Sequence, residues 1–406
     1  MTFNPLAERG IPLDRQLRNW SELNSTPYDK DAIDPYSRCR IIVMNGIEVE
    51  SAMFSHQFAR HTANVQLKRM LATTRRIEQQ QQKAVNWLIP GNESTLEVTI
   101  GYEQVAVDLT AWVAQAEPDP EMRRVYDFGL LEDFDHLYRY ANLLDMTEPK
   151  KAAAIVGDLT EIMPGRPTIL EHRHPSDEIR RCLNLYGSHP LSILHALTVM
   201  SAEQQTMNFY MTIGNRPIEP IARGLYLEIA QIEEQHVTQY ESILDASASW
   251  CENLVIHEYN ECYLYYSFME TESDKRLKKL WELHLNMEIE HLRLAAELMR
   301  AMDGRDPEAI LPPEMPAPLT FQPNKEYVRK VLAEQVSLTA DEIDFVPMSS
   351  LPKNHRYLEY QKAVHGKGAP PSEAVIAEHS GREGGEYRLE TEGPHPVEDL
   401  QLETAR

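Results

Sequence analysis

Alternating β-branched runs are almost missing from this 406-residue chain, and so are excess basic charge, long apolar stretches and paired cysteines. Without strand signals, helices are the expected way to build a core. Lys and Arg total 40 against 63 Asp and Glu, a formal charge of −23. Such a surface repels phosphate backbones and anionic membranes, so neither nucleic acid nor membrane is an expected partner. No apolar run reaches the roughly 20 residues of a membrane helix. The opening MTFNPLAERG lacks the basic start and apolar stretch of a signal peptide, so a cytoplasmic location is expected. Cys39, Cys182, Cys251 and Cys262 show no CxxC spacing and are too sparse for a disulfide framework, which leaves ordinary thiols.

What is present is helical periodicity with short breaks. Helices are expected at 42–60, 62–88, 95–116, 120–146, 190–213, 218–246, 250–271 and 275–302. The breaks include Pro90-Gly91-Asn92, Pro118-Asp119-Pro120, Gly214-Asn215-Arg216-Pro217, Ala246 to Ser249 and the Ser273-Asp274 cap. The expected fold is all-α: two tandem four-helix bundles at 41–147 and 190–303, joined by a proline-containing connector at 148–189. An irregular segment covers 1–40. The proline-rich 304–406 reads as extended or partly disordered, a strap over the surface or a neighbouring subunit, which allows a homo-oligomer held by terminal extensions.

Two Glu-x-x-His motifs lie in expected helices, Glu233 with His236 and Glu288 with His291. On a helix, positions i and i+3 share a face, so carboxylate and imidazole converge. Chance supplies on the order of one or two such matches in an acidic chain of this length. Glu171-His174 and Glu392-His395 read as such matches, because they sit among prolines. The ordered set carries the argument: Glu203 precedes Glu233 by 30 residues, Glu258 precedes Glu288 by 30, and each member of the first trio recurs after 55. In antiparallel hairpins this brings Glu203, Glu233, His236, Glu258, Glu288 and His291 to one height, as candidate ligands of one dinuclear metal site. Their faces otherwise carry apolar residues such as Val199, Ile229, Leu254 and Leu292, and buried carboxylates require a counter-charge.

Paired copies of a Glu helix and a Glu-x-x-His helix resemble the ferritin-like carboxylate-bridged di-iron and di-manganese superfamily, which includes rubrerythrin and bacterioferritin. The resemblance covers 190–302. It implies that Glu203 and Glu258 are terminal or bridging ligands, that Glu233 and Glu288 bridge, and that His236 and His291 complete two iron or two manganese ions, iron favoured. Members of that superfamily usually have a long crossover between the second and third helices. Here the break between Glu233 and Glu258 leaves room only for a short turn.

The same register recurs 155 residues earlier as Glu48, Glu78, Gln81, Glu103, Asp133 and His136. Gln81 replaces a histidine and Asp133 a glutamate, so this half reads as a degenerate duplicate, either an altered metal site or a structural bundle in which Arg75 neutralises part of the cluster. His284 is a candidate hydrogen-bond partner for a ligand carboxylate or a core histidine. Glu261 reads as exposed, Gln79 to Gln82 as a solvated face, and Tyr210, Tyr240 and Tyr265 as packing residues with a relay role as the alternative.

The function these residues point to is a metal-dependent oxidoreductase activating dioxygen or peroxide, with a small-molecule substrate. The rival readings are a ferroxidase or iron-handling protein and a metal-free helical scaffold.

Overall fold

A computed structural model describes residues 3–402. It is mostly helical. A single turn, α1 (Trp20–Leu23), precedes four long helices: α2 (Pro35–Arg60), α3 (Val65–Asn86), α4 (Thr95–Ala116) and α5 (Pro120–Thr147). The connector holds two more single turns, α6 (Ala153–Val156) and α7 (Thr168–Glu171). Four long helices follow: α8 (Pro190–Ile213), α9 (Pro220–Glu241), α10 (Trp250–Thr271) and α11 (Lys275–Met302). The C-terminal part contains α12 (Lys325–Gln335), an antiparallel hairpin of β1 (Leu338–Asp341) and β2 (Asp344–Pro347), α13 (Arg356–His365) and α14 (Pro371–Glu383). Among the described residues no helix is long and apolar enough to cross a membrane.

Local chemistry sets these limits and repeats with the 155-residue period. Ser94 and Glu97 form a capping box at α4, and Ser249 and Glu252 form one at α10. Asp119 and Asp274 cap α5 and α11. Helix α2 starts seven residues before the expected position 42, because Asp34 caps it and Pro35 fills its first turn ahead of the first apolar residues. Helix α9 stops at Glu241 although Ile243 and Leu244 prolong the apolar pattern.

The chain does not divide into tandem bundles at 41–147 and 190–303. Among the described residues, one compact unit comprises 3–92, 182–205 and 244–320; the other comprises 93–181, 206–243 and 321–402. The first therefore joins the hairpin α2–α3 to the hairpin α10–α11, with the start of α8. The second contains the hairpin α4–α5, α9 and the end of α8, which passes from one unit to the other after Gln205. The short turns after α3 and α9 carry the chain out of one unit and into the other, so no long crossover is needed.

The second unit's core includes Leu130, Phe134, Leu137, Tyr140, Tyr210, Tyr226 and Ile229, and it takes in Val328, Leu332 and Val375 from α12 and α14. This corrects the extended or disordered reading of 304–406. Its helices are short and carry few apolar residues, but those residues are buried. Ion pairing adds to the docking of α14: Arg139 meets Asp135 and Glu373. The first unit buries Ile41, Ile42, Leu71, Ile77, Val255, Cys262, Trp281 and Leu292. No disulfide forms among the described residues; Cys182 is exposed, and Cys39, Cys251 and Cys262 are buried.

Candidate metal centres

In the second unit the hairpin α4–α5 supplies Glu103, Asp133 and His136, and α9 supplies Glu233 and His236. All five are buried. His136 Nδ1 lies 3.1 Å from Glu233 Oε1. His236 Nδ1 lies 3.2 Å from Asp133 and 3.5 Å from Glu233 Oε2. Ligand atoms of Glu103, His136 and Glu233 lie within 4.8 Å of one another, as do those of Asp133, Glu233 and His236. Glu233 belongs to both groups, the placement of a bridging carboxylate.

Both imidazoles turn Nδ1 inward because a carboxylate holds the other nitrogen. His136 Nε2 is 2.9 Å from Glu171, and His236 Nε2 is 2.9 Å from Glu132. Such outer partners fix ring orientation and increase a histidine's strength as a ligand. Glu132 is itself paired with the buried Arg166, at 3.0 Å, and with Arg173. Burial acts to raise the Glu132 carboxyl, but the Arg173 and Arg166 charges and the His236 hydrogen bond hold it well below the usual range. Burial also acts to raise Glu233, yet His136 and His236 bring it down to about 2. Burial pushes Glu171 up to about 8 against the pull of His136, and it raises Glu103 with help from Glu233. The Tyr210 hydroxyl donates to Glu103.

In the first unit, Glu48 and Glu78 from α2 and α3 meet Glu258, Glu261, Glu288 and His291 from α10 and α11. Here too ligand atoms form two groups, one of Glu78, Glu258 and His291 and the other of Glu48, Glu261 and Glu288. His291 Nδ1 lies 2.8 Å from Glu288 and 3.8 Å from both Glu78 and Glu258. Its Nε2 lies 2.7 Å from Gln16 Oε1. The Gln16 amide nitrogen donates to the backbone carbonyls of Ile11 and Met287, so its oxygen faces the ring and leaves Nδ1 as the nitrogen turned toward the carboxylates. Gln81 donates to Glu288, the Tyr265 hydroxyl donates to Glu48, and His284 Nδ1 is 3.1 Å from that hydroxyl. Among the described residues the His284 hydrogen bond thus reaches a carboxylate, Glu48, through Tyr265. Burial raises Glu48, Glu258 and Glu261, each with help from neighbouring glutamates, and pushes Glu78 up to about 7.

The six residues expected to share one site are thus divided. Glu258, Glu288 and His291 lie in the first unit; Glu233 and His236 lie in the second. Glu203 is buried on α8, three residues before that helix enters the second unit, at the register position of Glu48 on α2. The 30-residue spacing identifies each hairpin but cannot say which hairpins pair. The residues of the supposed degenerate half are divided in the same way: Glu48, Glu78 and Gln81 join the single-histidine cluster, while Asp133 and His136 belong to the two-histidine cluster.

Several single-residue readings also change. Glu261 is buried, because three residues after Glu258 it shares that residue's face. Gln81 and Gln82 are buried although Gln79 is exposed. Gln82 donates to Asn45, which in turn donates to Gln205. Arg75 donates to Ser55, while its charge acts to lower the Glu78 carboxyl, in line with the expected partial neutralisation. The Tyr240 reading does not change: its ring packs on Tyr126, with centroids 5.9 Å apart.

Glu171, taken for a chance match, is the outer partner of His136, whereas His395 bonds to the Pro164 carbonyl. The signal for Glu171 was available in the sequence, because Gln16 precedes it by the same 155 residues. Gly10 and Gly165 share that register. The backbone nitrogens after them meet Asn286 O at 2.7 Å and Leu131 O at 2.9 Å, another pair at the same shift. A Cβ on Gly165 would lie 2.2 Å from Leu131 O, and one on Gly10 would lie 2.4 Å from Glu290 N. Only glycine lets each strap lie close enough to a Glu-x-x-His or Asp-x-x-His helix to deliver Gln16 or Glu171.

No family model, no curated protein and no solved structure matches this chain.

Proposed function

We propose that each unit holds a dinuclear metal centre of the ferritin-like carboxylate type, and that the chain is a di-iron or di-manganese oxidoreductase, iron favoured, activating dioxygen or peroxide. One observation carries this reading. Buried oxygens such as Glu48 Oε2, Glu78 Oε2, Glu103 Oε2 and Asp133 Oδ2 meet no hydrogen-bond donor among the described residues. Each leaves a cost of several kcal/mol that a divalent cation removes.

The donor set fits. Carboxylate and imidazole suit iron and manganese, and each unit offers two adjacent groups of ligand atoms. In the second unit Glu103, His136, Glu233, Asp133 and His236 would hold the pair; in the first, Glu48, Glu78, Glu258, Glu261, Glu288 and His291 would. The metals supply the redox change and the binding of dioxygen or peroxide. The chain's own residues set its conditions. Glu171 and Glu132 fix the two imidazoles, Tyr210 holds Glu103 and Tyr265 holds Glu48, while burial excludes bulk water.

Metal analysis after reconstitution with ferrous or manganous ion under reducing conditions tests this, with about two ions expected per centre. His236→Ala is expected to lose one pair and His291→Ala the other. Loaded protein should consume dioxygen or hydrogen peroxide faster than either variant. Metal below about one ion per chain, unchanged in both variants, would refute the reading.

A further inference from the structure

In the second unit a cavity of about 590 Å³ opens where α8 ends and α9 begins, lined among others by Tyr210, Tyr226, Leu227, Ala230 and Arg223. The volume lies within the roughly 300–1,000 Å³ of small-molecule sites. Its inner wall includes the Tyr210 ring, and the Tyr210 hydroxyl donates to Glu103 of the candidate centre. One tyrosine therefore separates the cavity from a metal-ligand carboxylate. The lining is largely apolar, and Met211, Ile218 and Leu227 stand exposed at the rim, where Ile218 is 90% exposed. The one charged residue of the lining is Arg223, whose guanidinium enters no ion pair among the described residues, and no carboxylate lines the cavity.

The first unit provides an internal control. The positions 155 residues before Tyr210 and Ala230 are Ser55 and Arg75, and there the Arg75 guanidinium lies against Ser55, donating to its hydroxyl at 3.3 Å and also to its carbonyl. A long cation thus fills the place that Ala230 leaves open. The opening is a property of one copy and is not built into the repeat.

We infer that this cavity is the substrate site of the second unit's centre, and that it takes a small, mainly apolar carboxylic acid whose carboxylate meets Arg223 while its body packs on Tyr210, Tyr226 and Leu227. As a substrate site it rests on the proposed metal centre; as a binding site it does not. In a chain of charge −23, an anionic ligand needs a local cation free of acidic partners, and Arg223 is that cation. The apolar rim removes the body of the ligand from water.

The test is calorimetric titration of the full chain, metal-loaded and metal-free, with a graded series of straight-chain and aryl carboxylates and their primary amides. At least one acid should bind about fivefold more tightly than its amide, the scale of an exposed ion pair. Arg223→Gln should erase that preference. Leu227→Glu, a change at an exposed position, should weaken the acid further. Equal binding of acids and amides, no binding by any acid, or an unaltered preference in Arg223→Gln would overturn the inference. Arg223-dependent binding by a chain that takes up no metal would support the cavity as a site while refuting the metal centre, which keeps the two failures apart.

Discussion

The two units solve the same problem, the burial of several carboxylates inside a helical bundle, with different chemistry. The second unit places two imidazoles among its acids and surrounds them with charge: Glu171 behind His136, and Glu132 behind His236 with Arg166 and Arg173. The first unit has one imidazole and surrounds it with amides, Gln16 behind His291 and Gln81 on Glu288. The differences are coupled. His236 has Gln81 as its counterpart 155 residues earlier, and Glu132 has Met287 as its counterpart 155 residues later. At this position a histidine is present where Glu132 supports its outer nitrogen and absent where the Met287 thioether stands instead.

The contrast breaks most severely at Glu132. Glu132→Ala would leave Arg166 and Arg173 buried without their shared acid and is expected to cost about 3–5 kcal/mol in denaturant unfolding. Met287→Ala removes no charge; its expected cost is about 2–5 kcal/mol from lost packing alone and is insensitive to salt and pH. A Glu132→Ala loss under about 1 kcal/mol would mean that the ionic shell does not distinguish the units.

The outer partners of the imidazoles come next. Glu171→Gln converts the second unit's shell to the first unit's type and should weaken metal binding there by roughly ten- to a hundredfold. The reciprocal Gln16→Glu should tighten the first unit's binding, though it buries a new charge. Competition with a coloured chelator reads both. Equal affinities before and after would show that the imidazoles need no such support.

These outer partners also mark how far the sequence could be read. Five of the eight long helices, α4, α5, α8, α10 and α11, end within two residues of the sequence-based limits at both ends, because caps such as Ser94, Asp119, Ser249 and Asp274 are local chemistry. The buried carboxylates and histidines that cluster were legible for a related reason, since a 30-residue register across a short turn fixes which side chains share a level. Hairpin pairing was not legible: the turns after α3 and α9 are equally short whether the chain stays in a bundle or leaves it. Gln16 and Glu171 lay in segments judged irregular by composition, where only the repeat spacing points to them. The C-terminal helices were hidden by their length, with α12 at 11 residues and α13 at 10.

Metal-free protein should separate the units by pH. Glu78 is raised from the ordinary 4.5 to about 7, and Glu48, Glu258 and Glu261 are raised as well. Acids with raised values bind protons more tightly when folded, so their stabilisation is present below about 4.5 and is lost as pH rises through their folded values. His291, also raised, adds the same sign, being stabilised below its ordinary 6.5 and losing this as pH rises; Glu288, lowered, opposes it. The first unit should therefore lose stability from pH 5 to pH 8, by about 1–3 kcal/mol. Four of the five tryptophans, Trp20, Trp87, Trp250 and Trp281, lie in that unit, so tryptophan fluorescence reports its melting. Saturating manganous ion should flatten the dependence. A metal-free melting temperature that rises over this interval would contradict the assigned burial of those carboxylates.

The smallest effect is the most specific to the comparison. Gln81→His alone places an imidazole in the first unit with Met287 behind it, so the ring has no carboxylate to set its tautomer and should gain little in metal affinity. Gln81→His with Met287→Glu rebuilds the His236 and Glu132 pair at the equivalent positions and should tighten metal binding by up to about tenfold over the single variant. The gain is limited because Arg166 has Ile11 as its counterpart, so the new glutamate lacks one of the two cations that serve Glu132. Adding Ile11→Arg should recover the remainder if the charge network is what sustains a histidine at that position. Metal affinities equal in the single, double and triple variants would show that the two differences between the copies arose independently.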